Sequence, residues 1–400
     1  MDCDDIIAHV AVDSCFVHVT VTLHMWKERY FMDRGINIEQ IFRYFERPNG
    51  KVTLGIDGFV DDVWQIISVR NGPDDYVLYE SMKDFAKSVY DVGAGGYANE
   101  IIRKRRSHGG FTAHTGEAVD NLGLDLMLVG MFDQEGGGGI DPVYQVFSDR
   151  CKVYSVGCTA VCPIYEFLNG KMMFPYVAKI AEIDIGHLTS ALSSDELTSI
   201  YGGRDVVGLG YWSLLDNFDN LITKLCEDYI GPGTRLFFDF ADIRKRTKDA
   251  LFCTLRLLAK LSVPATLSLN EHEGTILFSH FGKDFNWRNP EGADREIEHV
   301  RQQTGLDEVI VHTPYFAVGA SSVEGVAVVN QRFCENPVVT TGAGDNFNGG
   351  YVSAIAQKDG LNLSQRLLVG NAVSSFYVQT GVSPNKEELV NEIKQFRALL

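Results

Sequence analysis

Short apolar segments separated by helix-like stretches limit the fold of this chain more than any other feature. Segments 219–230 and 251–261 carry apolar residues at helical spacing, and helix-like stretches of this kind separate several of the strand candidates. Strands that alternate with helices pack into an α/β fold with a largely parallel sheet. The candidate strands are residues 51–57, 205–211, 235–240, 265–270, 308–313 and 325–330.

Several of these strands end in a polar residue. Asp57, Asp239 and Asn270 each stand at or near the carboxyl end of an apolar run. In open α/β sheets the carboxyl ends of the strands form the ligand crevice. The sequence therefore predicts that these side chains border one binding site.

The segment TTGAGDNFNGGY (340–351) joins a glycine-lined turn to a helix-like run. A helix that begins there presents unpaired backbone N–H groups, which attract anions. We predict an anion hole made by the amides of Gly342, Ala343 and Gly344. Asp345 repels anions, so it is either a helix cap or a general base that accepts a proton from a hydroxyl group.

Separated motifs in the chain resemble the ribokinase-like (PfkB) family of carbohydrate kinases over roughly residues 51 to 395. The motifs are Gly109-Gly110 before a helix, Leu122-Gly123, Asn270-x-x-Glu273, and the closing Gly-Ala-Gly-Asp at 342–345. The resemblance implies a three-layer α-β-α core with a mostly parallel central sheet and a small β-sheet lid. It also implies a phosphotransferase that uses ATP and Mg²⁺ to phosphorylate a hydroxyl of a sugar or sugar-like molecule.

The same resemblance suggests roles for individual residues. Asp345 becomes the base, and Asn270 and Glu273 order Mg²⁺ through water. Thr341, Thr313 and Asn371 fall where the family holds the nucleotide. The residues expected near the acceptor sugar are Asp57 or Asp61, the Gly109-Gly110 turn and His114. A plain helix cap is the alternative interpretation of Asn270 and Glu273, and Asp239 with Arg244 is either functional or a surface ion pair.

The chain divides in our interpretation at residue 46. Residues 1–46 form an extension with a strand at 17–26 and a helix at 37–46 capped by Asn37. Two alternatives are kept for it: native structure, or an upstream start with Met32 as the alternative initiator. Residues 47–400 form the kinase domain, with lid segments near 58–70, 95–112 and 158–178. The last segment contains a hairpin about Asn169-Gly170. The acidic GFVDD stretch (58–62) is interpreted as a loop, and the basic RKRR run (103–106) as a solvated loop or a sugar-phosphate clamp.

Charge and composition narrow the classes of partner. The net charge is −17, which argues against non-specific binding to nucleic acid or to an acidic membrane surface. No window of 18 uncharged apolar residues is present, so we expect no membrane span and a cytoplasmic protein. The eight cysteines are scattered, and free thiols are expected rather than a metal site. His18 and His24 on the predicted strand lack a third ligand nearby.

Departures from the family pattern keep other functions open. Val339 replaces the usual aspartate before the two threonines, and His114 replaces the asparagine often found in the Gly-Gly helix. Thr313 is followed by Pro-Tyr rather than closely by glycine, and 71–106 is longer than typical. One alternative is a catalytically inactive sugar- or nucleotide-binding protein on the same fold. Another is a dinucleotide site at GAGGYA (93–98), which needs a preceding strand. The donor nucleotide (ATP or ADP) and a lid-to-lid homodimer also remain open.

Overall fold

The computed structural model describes residues 36–357 and 360–398, and we number the elements within that part of the chain. The predicted strand at 17–26, with His18 and His24, lies outside it. The strands are β1 (Lys51–Gly55), β2 (Phe59–Arg70), β3 (Tyr76–Leu78), β4 (Ile101–Gly109), β5 (Asp125–Gly130), β6 (Lys152–Ser155), β7 (Ala160–Phe167), β8 (Gly170–Met173), β9 (Val206–Gly210), β10 (Arg235–Asp239), β11 (Ala265–Asn270), β12 (Glu308–His312), β13 (Phe316–Ser321) and β14 (Gly325–Asn330). The helices are α1 (Ile38–Glu46), α2 (Met82–Val92), α3 (Phe111–Asn121), α4 (Gln145–Ser148), α5 (Ala178–Ala181), α6 (Ile185–Ala191), α7 (Ser194–Tyr201), α8 (Phe218–Asp228), α9 (Lys248–Leu258), α10 (Glu271–His280), α11 (Ala293–Thr304), α12 (Ala343–Ile355), α13 (Leu363–Thr380) and α14 (Lys386–Ala398).

Nine strands form the central sheet, in the order β14-β13-β12-β11-β10-β9-β1-β5-β6. The strands from β12 to β6 run parallel, and β13 and β14 are added antiparallel at one edge. All six strands proposed from the sequence belong to this sheet. The prediction of an α/β fold with a mostly parallel sheet is confirmed.

Helices cover both faces of the central sheet, which gives the three layers that were expected. Successive side chains of a strand point to opposite faces, so Phe238 joins the core on one face and Phe237 the core on the other. Helices α6 to α11 pack on the first face, and α1, α3, α12, α13 and α14 on the second. Because the central strands are buried on both sides, they read as continuous apolar runs.

A second, smaller sheet is built from β3, β2, β7 and β8, with β4 paired to β2. Four of its strands come from the three segments that were expected to form a lid, whereas β3 lies outside them. Strands β7 and β8 form the hairpin about Asn169-Gly170. Both loop interpretations were wrong, because Phe59–Asp62 begin β2 and RKRR lies within β4. The two strands pair antiparallel, with Asp62 opposite Arg106, so each charged run has a partner that the local pattern does not reveal. The alternative of a sugar-phosphate clamp at RKRR stays a prediction.

The stretch directly before GAGGYA is helix α2 rather than a strand. Residues 93–98 therefore lack the strand–turn–helix context of a dinucleotide site, and that alternative is excluded.

Helix α1 begins as the sequence predicts, because Asn37 caps it by accepting the Gln40 amide at 3.1 Å. The buried side chains of Ile38, Ile41 and Phe45 join the core of the second face, so this helix packs on the domain. The division at residue 46 stays a prediction.

The helices and the cysteines were also the subject of expectations from composition. Within residues 36–357 and 360–398, none of the helices has the length and apolar character needed to cross a membrane. The six cysteines of the same part of the chain, including Cys158 and Cys162, are free thiols, as expected.

Candidate active site

Helix α12 begins at the Gly-Ala-Gly-Asp motif. Gly342 precedes its first turn with φ +82°, a left-handed conformation that favours glycine. The Ala343 amide donates to the Thr340 carbonyl at 3.2 Å. Among the described residues, the amides of Gly344 and Asp345 have no acceptor, as expected at a helix start. The first turn of α12 thus presents free N–H groups beside the Asp345 carboxylate.

Asp345 is half-buried at this helix start. Its Oδ1 accepts a hydrogen bond from the Tyr211 hydroxyl at 3.3 Å. Burial raises the pKa of Asp345 to about 7, and the charges of Asp57 and Asp61 add to the rise, while the Tyr211 hydrogen bond opposes it. A carboxyl group with a pKa near neutrality suits a general base, because it can both take up and release a proton at the working pH.

A second carboxylate, Asp239, ends strand β10 close to Asp345. The Ala241 amide and the Asn348 side-chain amide donate to its two oxygens, each at 2.8 Å. Asn348, on α12, is in turn held by the Ser268 hydroxyl at 2.6 Å. Burial, and then the charge of Asp345, raise the pKa of Asp239 to about 7. The two carboxylates repel each other, and this arrangement favours a cation or a proton between the strand ends and α12.

Asn270 and Glu273 form a capping box at the start of α10. The Asn270 side chain accepts the amides of His272 and Glu273 at 2.9 and 3.0 Å, and Glu273 Oε2 accepts the Asn270 amide at 3.0 Å. Burial and the charge of Asp239 hold the pKa of Glu273 well above its usual range. Both residues therefore cap the helix, and Glu273 Oε1 is directed at no hydrogen-bond donor among the described residues. Their role in ordering Mg²⁺ stays a prediction.

These groups border a cleft of about 940 Å³ at the carboxyl ends of the central strands. The predicted residues that line it are Asn270, Glu273, Thr313, Ala343, Gly344 and Asp345. Asp239, Tyr211 and His312 line it as well. The expectation that polar strand ends border one crevice is confirmed for Asp239 and Asn270.

Asp57 follows β1 and is fully buried. Its two oxygens accept the amides of Phe111 and Thr112 at the start of α3, each at 2.9 Å. Burial raises its pKa to about 6, although these hydrogen bonds act to lower it. The Gly110 position has φ +90°, and a Cβ there would lie 2.1 Å from Asp57 Oδ2. The second glycine of the turn is thus required by the close approach of this carboxylate.

Asp61 lies on β2, above the first glycine of the same turn. A Cβ at Gly109 would lie 2.5 Å from its carboxyl carbon. Within the described chain, the Asp61 carboxylate accepts no hydrogen bond, although only 8% of the residue is exposed. Burial raises its pKa to about 6, and the charges of His114, Lys171 and Arg105 oppose the rise. The small sheet therefore brings an unpaired carboxylate and several basic groups beside the Gly-Gly turn.

The residues expected to hold the nucleotide differ in their surroundings. The Thr313 hydroxyl donates to the Phe316 carbonyl at 2.9 Å and accepts two amides of its own turn. The Asn371 side chain is buried and donates to the Val329 and Asn330 carbonyls at 3.0 and 3.2 Å, and it does not line the cleft. Thr341 accepts the Tyr377 hydroxyl through its carbonyl at 2.8 Å. Nucleotide contacts by these three residues stay predictions.

Sequence reasoning left three residues of this site unassigned or open. Asp239 was left open, and it lies in the cleft, whereas Arg244 pairs with Asp242 at 2.7 and 2.8 Å and is exposed, as a surface ion pair. Tyr211 and His312 were missed. Both stand at strand ends, so the rule that selected Asp57 and Asn270 would also have found them.

Known proteins resemble this chain in sequence and in fold. A family model described as prokaryotic ketohexokinase matches residues 39–396. A curated ketohexokinase of Haloferax volcanii is 27% identical over 351 residues, covering 85% of this chain and 90% of that protein. Phosphofructokinase-2 of Escherichia coli superposes with a TM-score of 0.58 at 13% identity, covering 87% of this chain and 99% of the other. Ribokinase of Thermotoga maritima gives 0.58 at 16% identity, with 86% and 99% covered. At 13% and 16% identity, the similarity to these two structures shows that the fold is shared and nothing further.

Proposed function

Since this chain belongs to the prokaryotic ketohexokinase family and is a carbohydrate kinase of the ribokinase-like fold, we propose that it transfers the γ-phosphoryl group of ATP to a hydroxyl group of a ketohexose. The family gives the sugar phosphotransferase activity. The identity of the acceptor, the base and the anion hole are our proposal. The observation that carries it is the position of Asp345, a half-buried carboxylate beside free N–H groups in a cleft of about 940 Å³.

In the proposed reaction, Asp345 takes the proton of the acceptor hydroxyl. The hydroxyl oxygen forms a bond to the γ-phosphorus, and the bond to the bridging oxygen breaks, so that ADP leaves with the electron pair. The amides of Gly342, Gly344 and Asp345, aided by the dipole of α12, face the negative charge of the transferred group. The Ala343 amide contributes less, because it already donates to Thr340.

The donor set also fits Mg²⁺. Burial and the charge of Asp239 raise the pKa of Glu273, and burial and the charge of Asp345 raise that of Asp239. A divalent cation bound among these carboxylates would relieve their repulsion. Hard oxygen ligands that leave room for water suit Mg²⁺. Asn270 positions Glu273 through the capping box. Bound there, Mg²⁺ would neutralise charge on the phosphates of ATP.

The acceptor is expected between the small sheet and the Gly109-Gly110 turn. Asp61 supplies a carboxylate without a hydrogen-bond donor, and a carboxylate accepts two hydrogen bonds from vicinal hydroxyls. His114 and Lys171 influence its charge from α3 and β8. With the small sheet acting as a lid, binding of the sugar would exclude water from Asp345.

The test is an ADP-release assay with Mg²⁺ on a panel of ketohexoses, aldohexoses, sugar phosphates, polyols and nucleosides, with ATP and then ADP offered as donor. AMP release is followed in the ADP arm. We expect turnover with ATP and a ketohexose that falls at least ~10²-fold in Asp345→Asn. Asp216→Asn, outside the cleft, is the matched control. Absence of turnover on every acceptor, with ATP still bound, would instead indicate the binding protein considered above.

Two coarser expectations accompany this proposal. An ATP-dependent kinase with free cysteines suits the cytoplasm.

The small sheet also carries a shallow groove of about 270 Å³ bordered by partly exposed apolar side chains, among them Tyr97, Ile101 and Phe174. Exposed apolar patches mark interfaces, so we propose this face for the homodimer. Light scattering of the wild-type chain and of Phe174→Asp would test it.

A further inference from the structure

Three polar side chains meet where the small sheet joins the core. His108 ends β4, and His114 and Glu117 lie three residues apart on one face of α3. One ligand atom from each lies within 4.8 Å of the others. The two imidazole rings meet edge to face with centroids 5.6 Å apart, and His108 Nε2 lies 3.9 Å from Glu117 Oε2.

None of the three side chains makes a hydrogen bond within the described part of the chain. The contact between His108 and Glu117 is too long for one, and His108 Nδ1 is buried without a partner. A polar atom that is removed from water without a partner, as His108 Nδ1 is, costs free energy. The aromatic rings of Phe147 and Tyr144, 5.1 and 6.3 Å from the His108 ring, supply no acceptor from their faces. This cluster therefore lacks a partner that could satisfy it from within the protein.

The protonation states favour a cation as that partner. Burial lowers the pKa of His108 to about 3 and lowers that of His114 as well, so both imidazoles are neutral near pH 7. Burial raises the pKa of Glu117, but a bound cation would counter that rise. Neutral imidazole nitrogens and a carboxylate oxygen are ligands for borderline transition metals.

We propose that His108, His114 and Glu117 form a binding site for a divalent transition-metal ion of the Zn²⁺ class. Two histidines and one glutamate leave a fourth position open, as in metal sites that exchange a ligand. Zn–N distances of about 2.0–2.1 Å place tetrahedral ligand atoms about 3.3 Å apart. Side-chain rotations close the remaining gap from the present spacing, which is at most 4.8 Å.

An ion bound at this site would link the small sheet to the core. Its ligands come from strand β4 of the small sheet and from helix α3 of the core, on either side of the Gly109-Gly110 turn. A bound ion ties the two together. His114 is also expected beside the acceptor, and a Cβ at Gly342 would lie 3.6 Å from its ring. The ion and the sugar therefore compete for His114. This second consequence rests on the proposed function, whereas binding of the ion does not.

Direct binding tests the site without reference to turnover. The full chain is freed of metal with a chelator and titrated with Zn²⁺ by calorimetry, and with Co²⁺ while its visible absorption is followed. We expect His108→Gln and Glu117→Gln each to remove one equivalent of bound Zn²⁺ and the absorption of four-coordinate Co²⁺. The loss of affinity should exceed the roughly 10–100-fold that follows loss of an outer-shell partner.

His187→Gln is the matched control, because it removes an exposed histidine that pairs with Asp184 at 2.8 Å. It should keep the full stoichiometry. Melting curves of each variant without metal verify folding, and Glu117→Gln serves if His108→Gln is unstable. Equal Zn²⁺ stoichiometry and affinity in the wild type and in the two site variants would overturn the proposal, whether or not the kinase assay succeeds.

Discussion

The Tyr211 hydroxyl donates a hydrogen bond to Asp345 Oδ1 at 3.3 Å, across the gap between β9 and α12. Tyr211 also lies within reach of the charges of Asp239, Asp57 and Asp61, which together with burial hold its pKa well above the usual range. Its hydroxyl therefore stays neutral and donates to one of the four carboxyl groups whose charges act on it. Its contact orients the proposed base and favours the ionised form of Asp345.

Tyr211→Phe should shift the pH dependence of the reaction. Loss of the donor raises the pKa of Asp345 above its value of about 7. A base acts in its ionised form, so the acid limb of kcat/KM moves to higher pH. A hydrogen bond of about 1 kcal/mol corresponds to about 0.7 pH unit.

The measurement is a pH–rate profile of the wild type and of Tyr211→Phe. Tyr201→Phe is the matched control, because that buried hydroxyl has no partner in the part of the chain that the structure describes and belongs to a different part of the core. A profile of Tyr211→Phe that keeps the wild-type midpoint, with only its height reduced, would refute the role of the hydroxyl in tuning Asp345.

Glu273→Gln should weaken the response to Mg²⁺ while α10 stays intact. Glutamine at this position of a capping box can still accept the Asn270 amide, so only the charge is lost. We expect the Mg²⁺ concentration for half-maximal activity to rise about 10-fold or more, as for the loss of an interaction with a charged group of about 1.5–3 kcal/mol. Mg²⁺ titrations at saturating ATP measure it.

A second capping box provides the control for that experiment. Ser193 and Glu196 form it at the start of α7, outside the cleft. Glu196→Gln should leave the Mg²⁺ titration unchanged. If both variants respond alike, the effect comes from the helix start, and the assignment of Glu273 to the cation site fails.

Asp61→Asn should raise the KM for the ketohexose and leave the KM for ATP unchanged. The substitution removes the unpaired carboxylate proposed to accept sugar hydroxyls, and a hydrogen bond to a charged group is worth about 1.5–3 kcal/mol, or roughly 10–100-fold. Steady-state kinetics with each substrate varied in turn separate the two effects.

The neighbouring Asp62 is the matched control. It lies on the same strand, but it pairs with Arg106 at 3.3 Å and Arg103 at 3.6 Å. Asp62→Asn should lower the melting midpoint and keep the KM for the sugar. An equal rise in KM in both variants would show that disruption of the sheet, rather than loss of a sugar contact, is responsible.

Arg366→Met should destabilise the fold strongly without a direct effect on the site. Arg366 on α13 pairs with the fully buried Glu308 at 2.6 Å and with Glu324 at 2.7 Å. Loss of one partner of a buried pair leaves an uncompensated charge and costs about 3–5 kcal/mol. Urea unfolding gives the change in the free energy of unfolding.

An exposed ion pair offers the comparison for this variant. Lys224 pairs with Glu227 at 2.6 Å on the surface of α8. Lys224→Met should leave the urea midpoint near that of the wild type, because exposed pairs contribute little. A small effect of Arg366→Met, similar to that of Lys224→Met, would mean that Arg235, 3.9 Å from Glu308 Oε1, or Tyr351 compensates the charge of Glu308.

The local sequence pattern was sufficient to predict the fold class and the start of α12. The six proposed strands form over apolar runs long enough to be buried on both faces, and the Gly-Ala-Gly-Asp motif begins α12 at Gly342. These features depend on backbone preference and hydrophobic periodicity, which neighbouring residues specify. The Gly109-Gly110 turn was also recognised in advance, although the reason for its glycines is the approach of Asp57 and Asp61.

Tertiary structure decided what depends on residues far apart in the chain. Charged segments 58–62 and 103–106 look like loops in isolation, yet they are strands, because Asp62 faces Arg106 across the small sheet. Tyr211 and Asp239 meet Asp345 only because parallel strands bring their carboxyl ends to one edge, beside the start of α12. The pKa values of these carboxyl groups likewise follow from burial and from charges contributed by other elements. Contacts of this kind produce no local sequence pattern, whereas strands show apolar runs and turns show characteristic residues such as glycine.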